Sequence, residues 1–347
     1  MSCTKIKFFP LLAFAVAPSL LAALEIKEAL IKLVVNEQTS RVSLYSLIDI
    51  AKSRYEALLF DQDPRTTFAT LSLDGKQYRL GDSAEFRSTV MRTETGARIE
   101  FRSASCVVSQ DIEFINTEGA ALSDGVKMSF TIENVSQKDE AIGLRLLLDT
   151  WLGEKSGKHF RTDVREHIGE ESYFDSKSAD TWISTPGEKS DLMIILASKR
   201  SERAEGALFA NWKRLNDEPW FFTAAPGRNF TLLPYSVNDS AVALYWQPAN
   251  LSRGATRKAS LILCQFNPKG YSTTVSRDAS TEALFSQTVL ALPGADPKAA
   301  LASDLVSVRD LISRIDRALS SGTAPGSDEL QAWRKILDKL EERAKGY

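Results

Sequence analysis

Between residues 29 and 266 the apolar positions fall in short runs separated by turn residues, and several runs alternate apolar with polar. A period of two is the pattern of a strand with one buried face. Ile31, Leu33 and Val35 share one side of the first such run, and Leu30, Lys32 and Val34 share the other. The polar stretch 36–40 separates it from Val42, Leu44 and Ser46. Asp74 and Gly75 stand between extended runs at 67–73 and 76–80, which predicts a hairpin whose turn needs positive φ at both positions. The runs 87–92 and 97–102, separated by Thr95 and Gly96, repeat the theme. Further strands are predicted at 106–115, 126–133, 141–150, 192–197, 207–212, 230–233, 241–246 and 259–266. Many short antiparallel strands over this length predict a mainly β fold, a large antiparallel β-sandwich.

After residue 266 the period changes. A mixed linker at 267–295 ends near Pro293 and Gly294, and Asp296 followed by Pro297 suits a helix start. Leu301, Leu305, Val308, Ile312, Ile315 and Leu319 then step by four and three, the spacing of a heptad seam. Gly322, Pro325 and Gly326 break it. Ser327 caps a second run carrying Leu330, Trp333, Leu337, Leu340 and Ala344. Two helices with so short a break predict an antiparallel α-helical hairpin over 296–347. Its seam, with Leu305, Ile312, Trp333 and Leu337 as the principal residues, is the expected docking surface for a protein partner.

The first 23 residues form a separate pattern. Lys5 and Lys7 precede an uncharged, largely apolar run from Phe8 to Leu21, and Ala22 and Ala23 follow before charge returns at Glu25. That is the layout of a secretory signal peptide. The run contains Pro10 and Pro18 and falls short of the roughly 20 apolar residues a spanning helix needs. The expected chain is therefore periplasmic or secreted, with a sandwich over 24–266 and no transmembrane segment once the signal is removed. Composition adds one exclusion. The net charge of -2 shows no basic excess, so nucleic acid is not an expected partner. Past the signal only Cys106 and Cys264 remain, which permits one disulfide in an oxidising compartment; two buried free thiols fit the same strand-like segments.

Catalytic motifs are scarce. Gly153 to His159 approaches a phosphate loop but is one residue too short, and His159 stands where Ser or Thr is required. His159 and His167 lie eight apart among mixed charges, a spacing that matches no standard metal site. Neither a metal nor a cofactor is expected. In the run 142–149, Ile142, Leu144, Leu146 and Leu148 share one face, and Gly143, Arg145, Leu147 and Asp149 share the other. Arg145 and Asp149 sit roughly 13 Å apart along a strand, so each needs a partner elsewhere or a ligand. Trp220, beside Pro219 in a loop-like run, is the aromatic best placed for an exposed contact. Arg145, Asp149 and Trp220 are thus the candidate ligand-binding residues, set against structural pairing and core packing. Glycoside chemistry would need two carboxylates across a cleft; Asp149, Asp163, Asp175 and Asp239 are available, but spacing does not tell which converge.

The stretches GLRLLLDTWLG (143–153), NDSAVALYW (238–246) and LSRGATR (251–257) resemble a group of exported bacterial proteins. The core of that group is similar to the large sandwich of galactose-mutarotase-like and related carbohydrate-active domains. The resemblance implies a fold and a possible carbohydrate ligand. Mutarotase chemistry uses a histidine and a glutamate in the cleft, and neither His159 nor His167 matches such a motif. The expectation is accordingly a non-catalytic binding or interaction protein, with a carbohydrate-binding or carbohydrate-modifying sandwich as the alternative. Exposed aromatics beside convergent carboxylates would favour the alternative; an exposed apolar seam on the helices would favour the scaffold.

Overall fold

A computed structural model of the chain describes residues 23–49, 52–117, 122–198, 201–266, 297–320 and 327–345. The expected linker, and residues 1–22 of the expected signal, lie outside the described residues.

The described strands form three antiparallel sheets. A four-stranded sheet takes β1 (Ala23–Glu28), β2 (Ile31–Asn36), β3 (Arg41–Asp49) and β4 (Arg54–Ala57) in order. A six-stranded sheet runs β13 (Ser172–Asp175), β16 (Gly206–Asn211), β17 (Ser240–Leu251), β11 (Glu140–Asp149), β5 (Phe68–Leu73) and β6 (Lys76–Arg79). An eight-stranded sheet runs β12 (Arg161–Thr162), β14 (Trp182–Thr185), β15 (Leu192–Ile195), β18 (Thr256–Gln265), β10 (Gly125–Asn134), β9 (Cys106–Ile115), β8 (Gly96–Arg102) and β7 (Arg87–Thr93).

The alternation in the sequence becomes the core. Ile142, Leu144, Leu146 and Leu148 of β11 join Val242 and Leu244 of β17, and they meet Val108, Ile112, Phe130 and Leu261 from the eight-stranded sheet. Ile31 and Leu33 extend the same cluster into the four-stranded sheet. Each fully buried side chain of this kind contributes about 2 kcal/mol of transfer free energy. The other face of β11 and β17 carries a smaller cluster of Leu147, Ala243 and Tyr245 with Phe68 and Leu208. The short helix α1 (Trp212–Asp217) covers it with Leu215. Asn211 caps α1, its side-chain oxygen accepting from Lys213 N and Arg214 N. Asp74 and Gly75 adopt φ of 48° and 81°, as the β5–β6 turn requires.

Two expectations change here. Residues 230–233 form no strand: Pro234 supplies no N–H, and Leu232 and Ser236 close a tight loop through their own backbone pair. The disulfide is excluded by register. Cys106 lies opposite Asn134 and Cys264 opposite Gly125, at the two ends of β10. That separation is roughly 30 Å along the strand, where a bond needs Cα atoms under about 7 Å apart. Both thiols are free and buried.

The tail holds α2 (Pro297–Ser320) and α3 (Ser327–Ala344). Leu311, Trp333, Ile336 and Leu340 bury one another, with Val308, Ile315 and Ala318 beside them, and Arg343 pairs with Asp304. The contact face is rotated from the expected seam. Leu305 (62% exposed), Ile312 (52%) and Leu337 (42%) face outward, whereas Trp333 is buried. Trp333 is therefore a helix-to-helix contact rather than part of an open docking surface. No helix among the described residues is long and apolar enough to cross a membrane.

Candidate functional site

The three ligand-site candidates do not come together. Arg145 is 1% exposed. Its guanidinium donates to the carbonyls of Leu215 (2.5 Å) and Glu218 (3.1 Å), so it braces the C-terminal end of α1. A cation at a helix C-terminus is favourably placed against the helix dipole. Burial holds its pKa below the usual arginine value. Trp220 is half-buried, edge-on to the Tyr245 ring at 5.8 Å, and its carbonyl accepts from the Tyr245 hydroxyl. It packs on the smaller apolar cluster.

Asp149, at the end of β11, is different. It lies opposite Ala241 in the β11–β17 register, which places Asp239, just ahead of β17, beside it. A single 3-10 turn, Trp151–Gly153, then folds the chain back and delivers Glu154 to the same point. Glu154 Oε1 accepts from Ser240 N at 3.0 Å. The turn requires Gly153, since a Cβ there would meet the backbone of Lys158 and His159 at 2.8 Å. Asp149, Glu154 and Asp239 each bring a carboxylate oxygen within 4.8 Å of the others.

Asp149 is buried and the other two are half-buried. Burial is the main reason that the Asp149 carboxyl is pushed up to about 7; the charges of Asp239 and Asp63 add to it, and a hydrogen bond from Thr66 opposes. Burial likewise pushes Glu154 up to about 8, against the Ser240 N–H and with help from Asp149 and Asp239. Asp239 is raised by burial, offset in part by Ser236. No basic side chain contributes to any of these shifts. Carboxylates this close cannot all ionise without help. They either retain protons near neutral pH or hold a hard cation, for which three carboxylate oxygens are suited donors.

Two aromatic residues lie on the segments that adjoin Asp239. Trp212 donates from its backbone N to Asp239 O (3.0 Å) and from Nε1 to Thr66 O (2.9 Å). The loop closed by Leu232 and Ser236 presents Tyr235, 68% exposed, and anchors through Asn211 Nδ2 to Ser236 Oγ at 2.9 Å. Lys213 Nζ lies 4.9 Å from the Tyr235 ring centroid. His159 is buried edge-on against Phe230 at 4.8 Å, and burial, with some repulsion from His167, pushes it down to about 4. His167 is exposed. Of the four aspartates that the sequence offered, Asp149 and Asp239 converge. Asp163 accepts from Thr181 N, and Asp175, the last residue of β13, accepts from Lys177 N, both at exposed positions. Glu154 was visible only as one acid among several near the histidines.

No protein-family model matches the chain, and no curated protein matches it. Among solved structures it is similar to a galactose mutarotase-like protein from Lactobacillus casei. The identity is 9% and the TM-score 0.40, over 71% of this chain and 100% of that one. It is similar to a galactose mutarotase related enzyme from Lactobacillus acidophilus at 11% identity and TM-score 0.43, covering 71% and 98%. A putative aldose 1-epimerase from Escherichia coli K12 gives 9%, 0.43, 71% and 99%.

Proposed function

We propose that the chain is an exported carbohydrate-binding or carbohydrate-modifying sandwich that works at Asp149, Glu154 and Asp239. The observation that carries this reading is the convergence of three carboxyl groups, two of them pushed up to about 7 and 8, with Asp239 hydrogen-bonded to Ser236 in the loop that also exposes Tyr235. That arrangement is the one expected of a sugar site, so the carbohydrate reading is preferred to a non-catalytic interaction protein. Carboxyl groups accept paired hydrogen bonds from sugar hydroxyls, and an aromatic face packs on a sugar ring. Near neutral pH one group of the cluster is ionised while another keeps its proton. The ionised group takes the proton of a hydroxyl as general base, and its neighbour returns one to an ether or ring oxygen as general acid.

The test is ligand-observed NMR against neutral hexoses, with mutarotation of the same sugars followed by polarimetry. Binding that weakens sharply in Asp149→Asn and Glu154→Gln supports the site. Sugar binding unchanged in both variants would refute it.

A second reading concerns the tail. We propose that α2 and α3 form an antiparallel hairpin that receives a protein partner. Its support is the outward stripe of Leu305, Ile312 and Leu337 and the pairing of Asp304 near the start of α2 with Arg343 near the end of α3. Periplasmic or secreted localisation rests on the N-terminal signal pattern.

A further inference from the structure

The two tail helices are apolar on more than the sides that pack together. With the sandwich in place, Leu301, Leu305, Ile312 and Leu319 of α2 and Leu330 and Leu337 of α3 all stay exposed. Leu305, Ile312 and Leu319 fall seven apart, as do Leu330 and Leu337, so each set runs as one stripe along its helix. At about 100° per residue, the α2 stripe lies about 80° around the helix from the contact line of Val308, Leu311, Ile315 and Ala318. The α3 stripe lies about 80° from the line of Trp333, Ile336 and Leu340, in the same rotational sense. Helices that run in opposite directions and carry stripes displaced in the same sense present both stripes on one side of the pair. The tail therefore has a continuous two-helix apolar face beside its buried seam.

Area and charge both bear on what covers this face. The six side chains are about half exposed on average. At about 150 Å² for a fully exposed leucine or isoleucine side chain, they leave roughly 500 Å² of apolar surface, a patch large enough to mark an interaction site. Two such faces set against each other remove about 1,000 Å² before any polar rim is added, which reaches the size of a specific interface. A two-helix layer with an apolar face is also half of a four-helix bundle. The Asp304–Arg343 pair fixes the relative height of the helices. Counting on from Asp304 and back from Arg343 puts Arg309 level with Asp338, and Asp316 within one turn of Arg334. These four residues are exposed and flank the stripes on the sides away from the seam. A two-fold axis parallel to the helices sets α2 of one copy beside α3 of the other at the same height. Arg309 then meets Asp338 of the other copy, and Asp316 meets Arg334, so opposite charges face each other along both edges of the interface.

We propose that the protein partner of the tail is a second copy of this chain, and that the two hairpins close into an antiparallel four-helix bundle. The inference rests on the antiparallel-hairpin reading above and names the occupant of its open face. The same patch serves both copies, so the assembly is a closed dimer and not a filament. The bundle joins two sandwiches, each with its own carboxyl cluster, in one assembly.

The experiment is sedimentation equilibrium of the full chain over a range of concentrations. The proteins are wild type, Leu305→Glu with Ile312→Glu, and Val164→Glu as an exposed apolar control on the sandwich. Wild type should be a dimer at micromolar concentration. The double variant should raise the dissociation constant by about a hundredfold or more, because it places charge at the centre of the apolar face. Its far-UV circular dichroism should match wild type, since both side chains are exposed in the single chain. Val164→Glu should remain a dimer. A separate variant, Asp304→Cys with Arg343→Cys in a Cys3→Ser background, should be cross-linked within one chain by a short bis-maleimide, because the helices run antiparallel. A wild type that stays monomeric, or a dimer that survives the double variant, overturns the bundle; if the intramolecular cross-link still forms, the hairpin stands. Failure of the cross-link overturns the antiparallel hairpin and the bundle together.

Discussion

The carboxyl cluster makes stability depend on pH in a direction opposite to that of an ion-paired carboxylate. Asp149 rises from an ordinary 3.8 to about 7 in the folded chain. The folded state therefore binds this proton more tightly than the unfolded state. The resulting stabilisation is fully present below the unfolded value and is lost as pH climbs through the folded one. At about 1.4 kcal/mol per unit the whole displacement is worth ~4 kcal/mol, of which ~3 kcal/mol is lost between pH 5 and pH 8. Glu154, raised to about 8, acts in the same direction, though its partial exposure admits solvent screening that reduces its share. With a urea m-value near the top of the usual range, about 3 kcal/mol/M, the midpoint should fall by about 1 M or more over that interval. Asp149→Asn keeps the shape and removes the ionisation, so its midpoint should fall by less than half as much and lie above that of wild type at pH 8. The assay is equilibrium urea unfolding followed by tryptophan fluorescence, from pH 5 to 8, with EDTA present so that no cation neutralises the cluster. A wild-type midpoint that is flat or rising across this range would refute the reasoning. So would an Asp149→Asn variant with the wild-type slope.

Three further outcomes follow from other parts of the chain. Cys106 and Cys264 should resist alkylation in the native protein and both react after unfolding without reductant, because burial pushes Cys106 up to about 12 and Cys264 well above its usual value; mass spectrometry that finds them bonded would contradict the β10 register. Leu311→Ala with Leu340→Ala should loosen the tail to limited proteolysis, at about 2–5 kcal/mol per buried site, whereas Leu305→Ala with Ile312→Ala should leave it intact; the reverse ranking would restore the heptad seam as the buried one. Mass spectrometry of the exported protein should find about the first 22–24 residues removed, and a chain that still begins at Met1 would count against export.

What the sequence discloses and what it hides follow from the range of the interactions. The alternation in 142–149 assigns every side chain of β11 to its face, because period two is a local property of the strand. Asp149, like Arg145, is conspicuous for the same reason, as a charge in a run otherwise apolar. Its partners are not local. Asp239 arrives only because β17 pairs with β11 in the register that sets Ala241 against Asp149. Glu154 arrives because a three-residue turn, closed by a glycine, reverses the chain. Neither fact is a periodicity, so Glu154 reads in the sequence as one more solvated acid. Arg145 misleads for a related reason: an arginine on the second face of a strand suggests a ligand or an ion pair, yet here backbone carbonyls at the end of α1 take its hydrogens. The tail shows a different limit. α2 carries two apolar stripes, one through Leu305, Ile312 and Leu319 and one through Val308, Leu311, Ile315 and Ala318. Heptad spacing admits both. The second packs against Trp333, whose bulk fills the gap between the helices and draws the smaller side chains of α2 toward it. The first stripe, at Leu305, Ile312 and Leu319, is left exposed.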